Sequence, residues 1–269
     1  MPCLVSDLLG SAEVVAQITT WVRQAGLMGL RYFNNVTPQI KPDQTLVTQA
    51  DLEIEQFLRE RLQTAFPTHQ VRGEEESWPQ TSQTADTIWV LDPIDGTTAF
   101  VQGLPGWGIS VGLLHRGQPC FGAFYMPLLD DLTYTAIQGE VYCNKRRLRQ
   151  SVRRDWGVKG FLAINASAHY DFQIGVRRTR TMGSIGASFV YTARGAAVGA
   201  FIPKAYVWDL VAGAAILSRT GGELRYLSGQ SVDYLGLLDG RLTSEPLLAA
   251  HPDLQAELRH GIQPGHLAY

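Results

Sequence analysis

Residues 89–100 read WVLDPIDGTTAF, an apolar run that ends on two aspartates, Asp92 and Asp95, with a proline between them and Gly-Thr-Thr behind. Two like charges at the mouth of a strand raise the cost of ionising each other unless a cation or a ring of donors lies between them. Pro93 holds the intervening backbone and Gly96 permits a sharp turn, so both side chains can converge while the Ile94 carbonyl faces outward. That is a hard-cation cradle made only of oxygens. Gly-Thr-Thr entering a helix adds free backbone N–H groups and hydroxyls suited to an anion.

Three further carboxylate stations stand at element ends: Asp51 after LVTQA, Glu74 and Glu75 in GEEES, and Asp209 in VWDLVAG. For Asp51 and Asp209 a helix N-cap is an equal reading, because the dipole there favours a carboxylate. Magnesium takes octahedral oxygen coordination from a few carboxylates, waters and substrate phosphate oxygens, so these stations together predict two or three Mg2+ ions beside a phosphate. Zinc fits poorly, since the six histidines are scattered and form no cluster with cysteine.

The chain has 269 residues, enough for one large domain or two moderate ones. A hydrophobic fraction of 45%, a charged fraction of 18% and a net charge of -2 give no electrostatic call for a polyanion, so nucleic acid is not an expected partner. Cys3, Cys120 and Cys143 are few, odd in number and without metal spacing, which predicts free thiols in a reducing, cytoplasmic setting. The first 33 residues lack a leader or spanning pattern, because Asp7, Glu13 and Arg23 interrupt them; no membrane role is expected. Leu8, Leu9, Ala12, Val15, Ile18, Val22 and Ala25 instead predict one long packed helix capped by Ser6 or Asp7.

A second helix is predicted from near Thr48–Asp51 to Pro67, followed by a short strand into the acidic turn and the strand TIWVLD. Residues 107–148 read as an antiparallel meander with turns at Arg116-Gly117 and Gly139-Glu140. The basic run NKRRLRQSVRRDW reads as a solvated turn joining two halves, 1–150 with most of the acidic stations and 151–269 with Asp209. GFLAINA and AVGAFIPKAYV predict strands, GSIGASFVYTARG a helix, and WDLVAGAAILSRTGG a small-residue helix ended by a left-handed glycine at Gly221-Gly222. Strands and a final helix close the chain.

LVTQAD, the GEE of RGEEES, WVLDPIDGTTAF and WDLVAGAAILSRTGG occur in the order and at about the spacings of the inositol monophosphatase family, and the likeness spans nearly the whole chain. This resemblance implies an α+β fold, a layered α-β-α-β-α sandwich of the sugar-phosphatase type, in a homodimeric, magnesium-dependent, lithium-sensitive phosphomonoesterase. By position it makes Glu74, Asp92 and the Ile94 carbonyl ligands of a first metal, with Glu75 as an alternative to Glu74. Asp92, Asp95 and Asp209 would hold a second. Asp51 and Thr97 resemble the pair that orients and deprotonates the attacking water, and the backbone of Gly96, Thr97 and Thr98 would bind the phosphate. Lys204, Ser184 and Ala187 are the substrate-side candidates.

The sequence departs from the family mainly on that side. Ala99 and Gln102 replace commoner residues, Val211 stands where alanine is typical, and Ile202 with nearby Lys204 stands where many members carry a glutamate for sugar hydroxyls. The expected substrate is a small phosphorylated metabolite, a polyol or sugar phosphate resembling inositol-1-phosphate. Fructose-1,6-bisphosphate, histidinol phosphate and 3'-phosphoadenosine 5'-phosphate are alternatives within the class. A non-catalytic regulatory relative is the alternative outside it.

Overall fold

The structure, a computed structural model, describes residues 5–76, 85–148 and 151–265. The first helical segment differs from the expected single helix. Gly10 adopts φ 76° and breaks it into α1 (Val5–Leu9) and α2 (Ala12–Tyr32), with Ser11 rather than Ser6 or Asp7 at the N-cap of the long helix. Such a φ is open to glycine at little steric cost, so the break is local. The apolar stripe of α2, from Val15 through Ile18, Val22 and Ala25, is buried as its spacing predicts. Gly26 lets the helix approach closely, because a Cβ there would lie 2.5 Å from the Tyr125 ring.

A short hairpin, β1 (Gln39–Ile40) and β2 (Leu46–Val47), leads into α3 (Gln49–Ala65), whose N-cap is Thr48. Next come β3 (Gln70–Gly73), β4 (Thr87–Asp95), α4 (Thr97–Val101), β5 (Gly108–His115), β6 (Gln118–Met126), β7 (Asp131–Thr135), β8 (Val141–Cys143) and β9 (Arg146–Arg147). These strands form one seven-stranded sheet in sequence order, β3 parallel to β4 and the rest antiparallel. The expected meander turns hold: Arg116, Gly117 and Gly139 all have positive φ.

The remainder comprises β10 (Leu162–Ile164), α5 (Ala168–Asp171), β11 (Phe172–Ile174), β12 (Thr179–Arg180), α6 (Ile185–Ala193), β13 (Gly199–Ile202), α7 (Val207–Arg219), β14 (Glu223–Tyr226), β15 (Leu247–Ala250), α8 (Pro252–His260) and β16 (Ile262–Pro264). A second sheet has the order β12-β10-β13-β15-β14, and β11 pairs with β16. As expected, Gly221 follows α7 with φ 88°.

The layers run α2/α3, seven-stranded sheet, α6/α7, five-stranded sheet, α8, which is the α-β-α-β-α sandwich. One apolar core joins α2 and α3 to the first sheet, a second surrounds α6 and α7 between the sheets, and a third lies under α8. The middle layer sits close to its sheet because glycine faces it. A Cβ on Gly122 would lie 2.1 Å from the Ala212 carbonyl oxygen, and the bare Gly112 accommodates Val211, the residue that stands where alanine is typical. No helix among the described residues is long and apolar enough to cross a membrane.

Of the cysteines among the described residues, Cys143 is free as expected and Cys120, which is disulfide-bonded, departs from expectation. Pairing depends on a through-space approach of the two Cα atoms that the fold sets, and three unevenly spaced cysteines carry no such signal.

Candidate functional site

All nine residues of β4 are buried, and its pairing with β5 slips between Asp92, opposite Ser110, and Asp95, opposite Gly108. Pro93 and Ile94 on β4 thus stand against Ile109 alone on β5, which makes a bulge. In a regular strand residues i and i+3 face opposite sides; one extra residue returns them to the same side. The bulge is therefore what makes the two aspartates converge. Proline suits it, having no N–H to donate to the ladder. The Ile94 N–H bonds back to Asp92 Oδ1 at 3.0 Å. Its carbonyl accepts from the Thr97 hydroxyl at 3.1 Å.

Beyond the bulge Gly96 has φ 94°, and a Cβ there would meet the Gly183 carbonyl oxygen at 2.8 Å and that of Gly106 at 3.2 Å. This contact seats the turn before α4 against the turn before α6. The helix itself is anchored by Phe100, fully buried and edge-on to Trp107 with ring centroids 4.8 Å apart.

One ligand oxygen each from Asp92, Asp95 and Asp209 lies within 4.8 Å of the others. The three arrive from the β4 bulge and from the first turn of α7, so they come together only through the packing of the middle helices on the sheet. The capping role and the clustered role coexist. Asp209 Oδ2 accepts from the Tyr206 N–H at 2.7 Å, closing the N-terminus of α7. Asp95 accepts from the N–H groups of Ile185 (3.1 Å) and Gly186, closing α6. Asp51 Oδ2 accepts from the Thr48 N–H and hydroxyl at 2.8 and 2.6 Å, closing α3, while its Oδ1 is buried without a partner.

Burial is the leading cause of raised pKa throughout the cluster. It lifts Asp92 well above the carboxylate range, helped by the charges of Glu74, Asp95, Asp209 and Asp51. It lifts Asp209 likewise, with Asp95 and Glu74 adding to it. Asp51 is pushed up to about 7 against its Thr48 bonds. Asp95 rises to about 6, held down by the α6 N–H groups. Such mutual repulsion, with an orphaned carboxylate oxygen and donors that are all hard oxygens, fits divalent cations of the magnesium type.

Glu74 lines the cleft over this cluster, whereas Glu75 does not. Lys41, from the β1–β2 hairpin, bridges the two at 2.7 and 2.9 Å. Burial alone would lower the Lys41 pKa, but the two glutamates together raise it. The backbone here depends on Glu55, a buried carboxylate that no motif marked. Its Oε2 accepts from the Glu75 N–H at 2.8 Å and its Oε1 from Arg59 at 3.0 Å. The signal was available: Glu55 sits one turn after Asp51, between the buried Ile54 and Leu58. A Cβ on Gly73 would lie 2.2 Å from the Glu55 carboxyl carbon. Gly73→Ala should therefore destabilise the protein by about 1–3 kcal/mol in chemical denaturation, and a change under about 0.5 kcal/mol would show that the turn yields freely.

The cleft encloses about 630 Å³, and Asp92, Ile94, Asp95, Gly96, Thr97, Thr98, Ser184, Lys204 and Asp209 all line it. Two expected residues, Ala187 and Asp51, are not among the lining residues. Ala187 is fully buried in α6, its N–H donating to Ser184 Oγ at 3.0 Å, so it forms no part of the cleft wall; its small side chain packs in the core between the sheets. Asp51 and Thr97 bond to Thr48 and Ile94 respectively and not to each other. Tyr206 was not anticipated; it lines the cleft, stacks on Trp208 at 4.4 Å and donates to Asp43 of the hairpin at 3.2 Å.

A sequence profile described as the inositol monophosphatase family matches residues 11–262. The chain belongs to that family. Family relatives include an inositol-1-monophosphatase of Bacillus subtilis, 29% identical over 80% of this chain and 86% of its own length. A putative Nus factor SuhB of Neisseria meningitidis is 31% identical over 88% and 92%. Among solved structures of the same fold, an IMPase/NADP phosphatase complexed with Mg2+ and phosphate superimposes with a TM-score of 0.80 at 19% identity, covering 92% of this chain and 94% of that one. The inositol monophosphatase family is one of phosphatase-type hydrolases, which agrees with the oxygen-only cluster facing an open cleft.

Proposed function

We propose that the protein is a magnesium-dependent phosphomonoesterase acting on a small polyol or sugar phosphate. The observation that carries this reading is the convergence of Asp92, Asp95 and Asp209 within 4.8 Å under burial that penalises each charge. Glu74, Asp92 and the Ile94 carbonyl would hold one ion, and Asp92, Asp95 and Asp209 another. Magnesium bound there supplies neutralisation of phosphoryl charge and a lowered pKa for a nearby water.

The protein's own groups do the rest. The N–H groups of Gly96 to Thr98 orient the phosphoryl oxygens. Asp51 has an unpartnered buried oxygen and a pKa brought to about 7, so it is suited to taking a proton near neutrality, with Thr97 orienting the water. The water oxygen forms the new bond to phosphorus, the ester P–O bond breaks, and the leaving alcohol takes up a proton. Residues 1–150 would thus supply most ligands, and 151–269 Asp209 and the opposite wall. Lithium sensitivity, a homodimer and a cytoplasmic location extend the reading from the family resemblance alone.

The test is phosphate release from inositol, sugar, histidinol and adenosine phosphates with and without magnesium. Magnesium-dependent release from at least one ester is expected. Silence across the panel from a folded, magnesium-binding protein would sink the reading and favour a non-catalytic role, one in keeping with the relatives named Nus factor SuhB.

A further inference from the structure

The cleft is electrically divided. Its acidic lining residues, Glu74, Asp92, Asp95 and Asp209, all belong to the metal cluster. The rest of the described lining contains no carboxylate: Gln44, Thr45, Asn165, Ser167 and Thr181 are neutral donors and acceptors. Lys204 is the single cation among the described lining residues, and its ammonium makes no ion pair or hydrogen bond with any described residue. Lys41, by contrast, is bound to two glutamates.

The backbone that carries Lys204 is fixed. Pro203 precedes it at the exit of β13. Ala205 follows and is held on both sides by the buried Thr243, donating to its hydroxyl at 3.3 Å and accepting its N–H at 2.9 Å. Tyr206 is tied to Asp43 and stacked on Trp208. Lys204, exposed on this fixed backbone, therefore lines the same cleft as Gly96 to Thr98, within which the reacting phosphate would be seated. An ammonium has three donors and no acceptor, so it distinguishes poorly among neutral hydroxyls but forms strong charge-assisted bonds with phosphate or carboxylate.

We infer that Lys204 selects phosphate esters whose leaving group carries a second anionic group, and this rests on the phosphomonoesterase reading above. The second anion is bound and not cleaved: water adds to one phosphorus, one ester bond breaks, and the alcohol departs with its other charge intact.

The experiment compares kcat/KM, with magnesium, within two matched pairs: fructose 1,6-bisphosphate against fructose 1-phosphate, and 2-phosphoglycerate against glycerol 2-phosphate. The first pair reports a phosphate, the second a carboxylate. The full chain should prefer the doubly anionic member of at least one pair roughly tenfold. Lys204→Gln should collapse that ratio toward one and Lys204→Glu should reverse it. The preference should also shrink as salt rises. A wild-type ratio near one in both pairs overturns the inference while leaving the phosphatase reading intact. So does a Lys204→Gln variant that keeps the ratio or lowers both members equally, the latter placing the ammonium on the reacting phosphate. Hydrolysis of no member of either pair, together with silence on the wider panel, removes both readings at once.

Discussion

Asp92→Asn is expected to cut magnesium-dependent phosphate release by roughly 10³-fold or more while raising the thermal midpoint of the metal-free protein. The two effects have opposite signs because one charge serves both. Asp92 is 1% exposed, and its carboxyl is pushed upward by burial and by four neighbouring carboxylates. Asparagine keeps an oxygen for the Ile94 N–H bond that shapes the bulge, so the turn survives. It removes the repulsion, and with it the anionic oxygen proposed to serve both ions. Thermal melts in chelator, beside phosphate release in magnesium, separate the roles. Retained activity would take Asp92 out of the ligand set, and a lowered midpoint would make its charge structural.

Chelation should cost more stability at pH 8 than at pH 6. Asp51 rises from 3.8 to about 7 and Asp95 from 3.8 to about 6, both chiefly through burial. A carboxyl raised in the folded state contributes stability that is fully present below its unfolded value near 4 and is lost as pH climbs through its folded value. The metal-free protein therefore weakens between pH 4 and 7. Asp51 alone accounts for on the order of 4 kcal/mol at most, or roughly 5–10 °C in a chain of this size. A cation favours the ionised carboxylates and removes the penalty, so the midpoint difference between magnesium and chelator should widen from pH 6 to pH 8. Groups elsewhere cancel in that difference. A gap that is constant or narrows with pH would mean that these carboxylates are not at the cation site.

The elements most legible in the sequence were those whose local chemistry and tertiary role agree. The strand TIWVLD, the Thr48 cap, the Arg116-Gly117 turn and the glycine after α7 each carry a short-range signal that the fold leaves in force. The acidic stations were legible for a related reason, since a carboxylate at an element end is a cap whatever else it does. What escaped depends on partners distant in sequence. Helical spacing alone read through Gly10, because an apolar stripe continues across a break that turns on one φ. Ala187, a substrate-side candidate by its position in a motif, is buried in the fold. Glu55 reads as one more charge on an amphipathic helix until the Gly73 backbone is laid across it, and Tyr206 gains its place in the cleft only when the hairpin brings Asp43 to it. The disulfide at Cys120 is of the same kind.

The three carboxylates that cap α3, α6 and α7 have a bearing on motion. Asp95 belongs to the first sheet, yet it closes a helix that begins 90 residues later, on the far side of that sheet. Each of these side chains is anchored before any ion arrives, Asp51 and Asp209 through one oxygen and Asp95 through both, so little rotational freedom remains to be lost on binding. The same anchoring ties the ion to the architecture: sliding the middle helices against the sheet would pull Asp209 away from Asp92 and uncap α6 in a single movement. With a cation bound as proposed, the site would act as a rivet between layers, and how firmly the sandwich is clamped would depend on its occupancy.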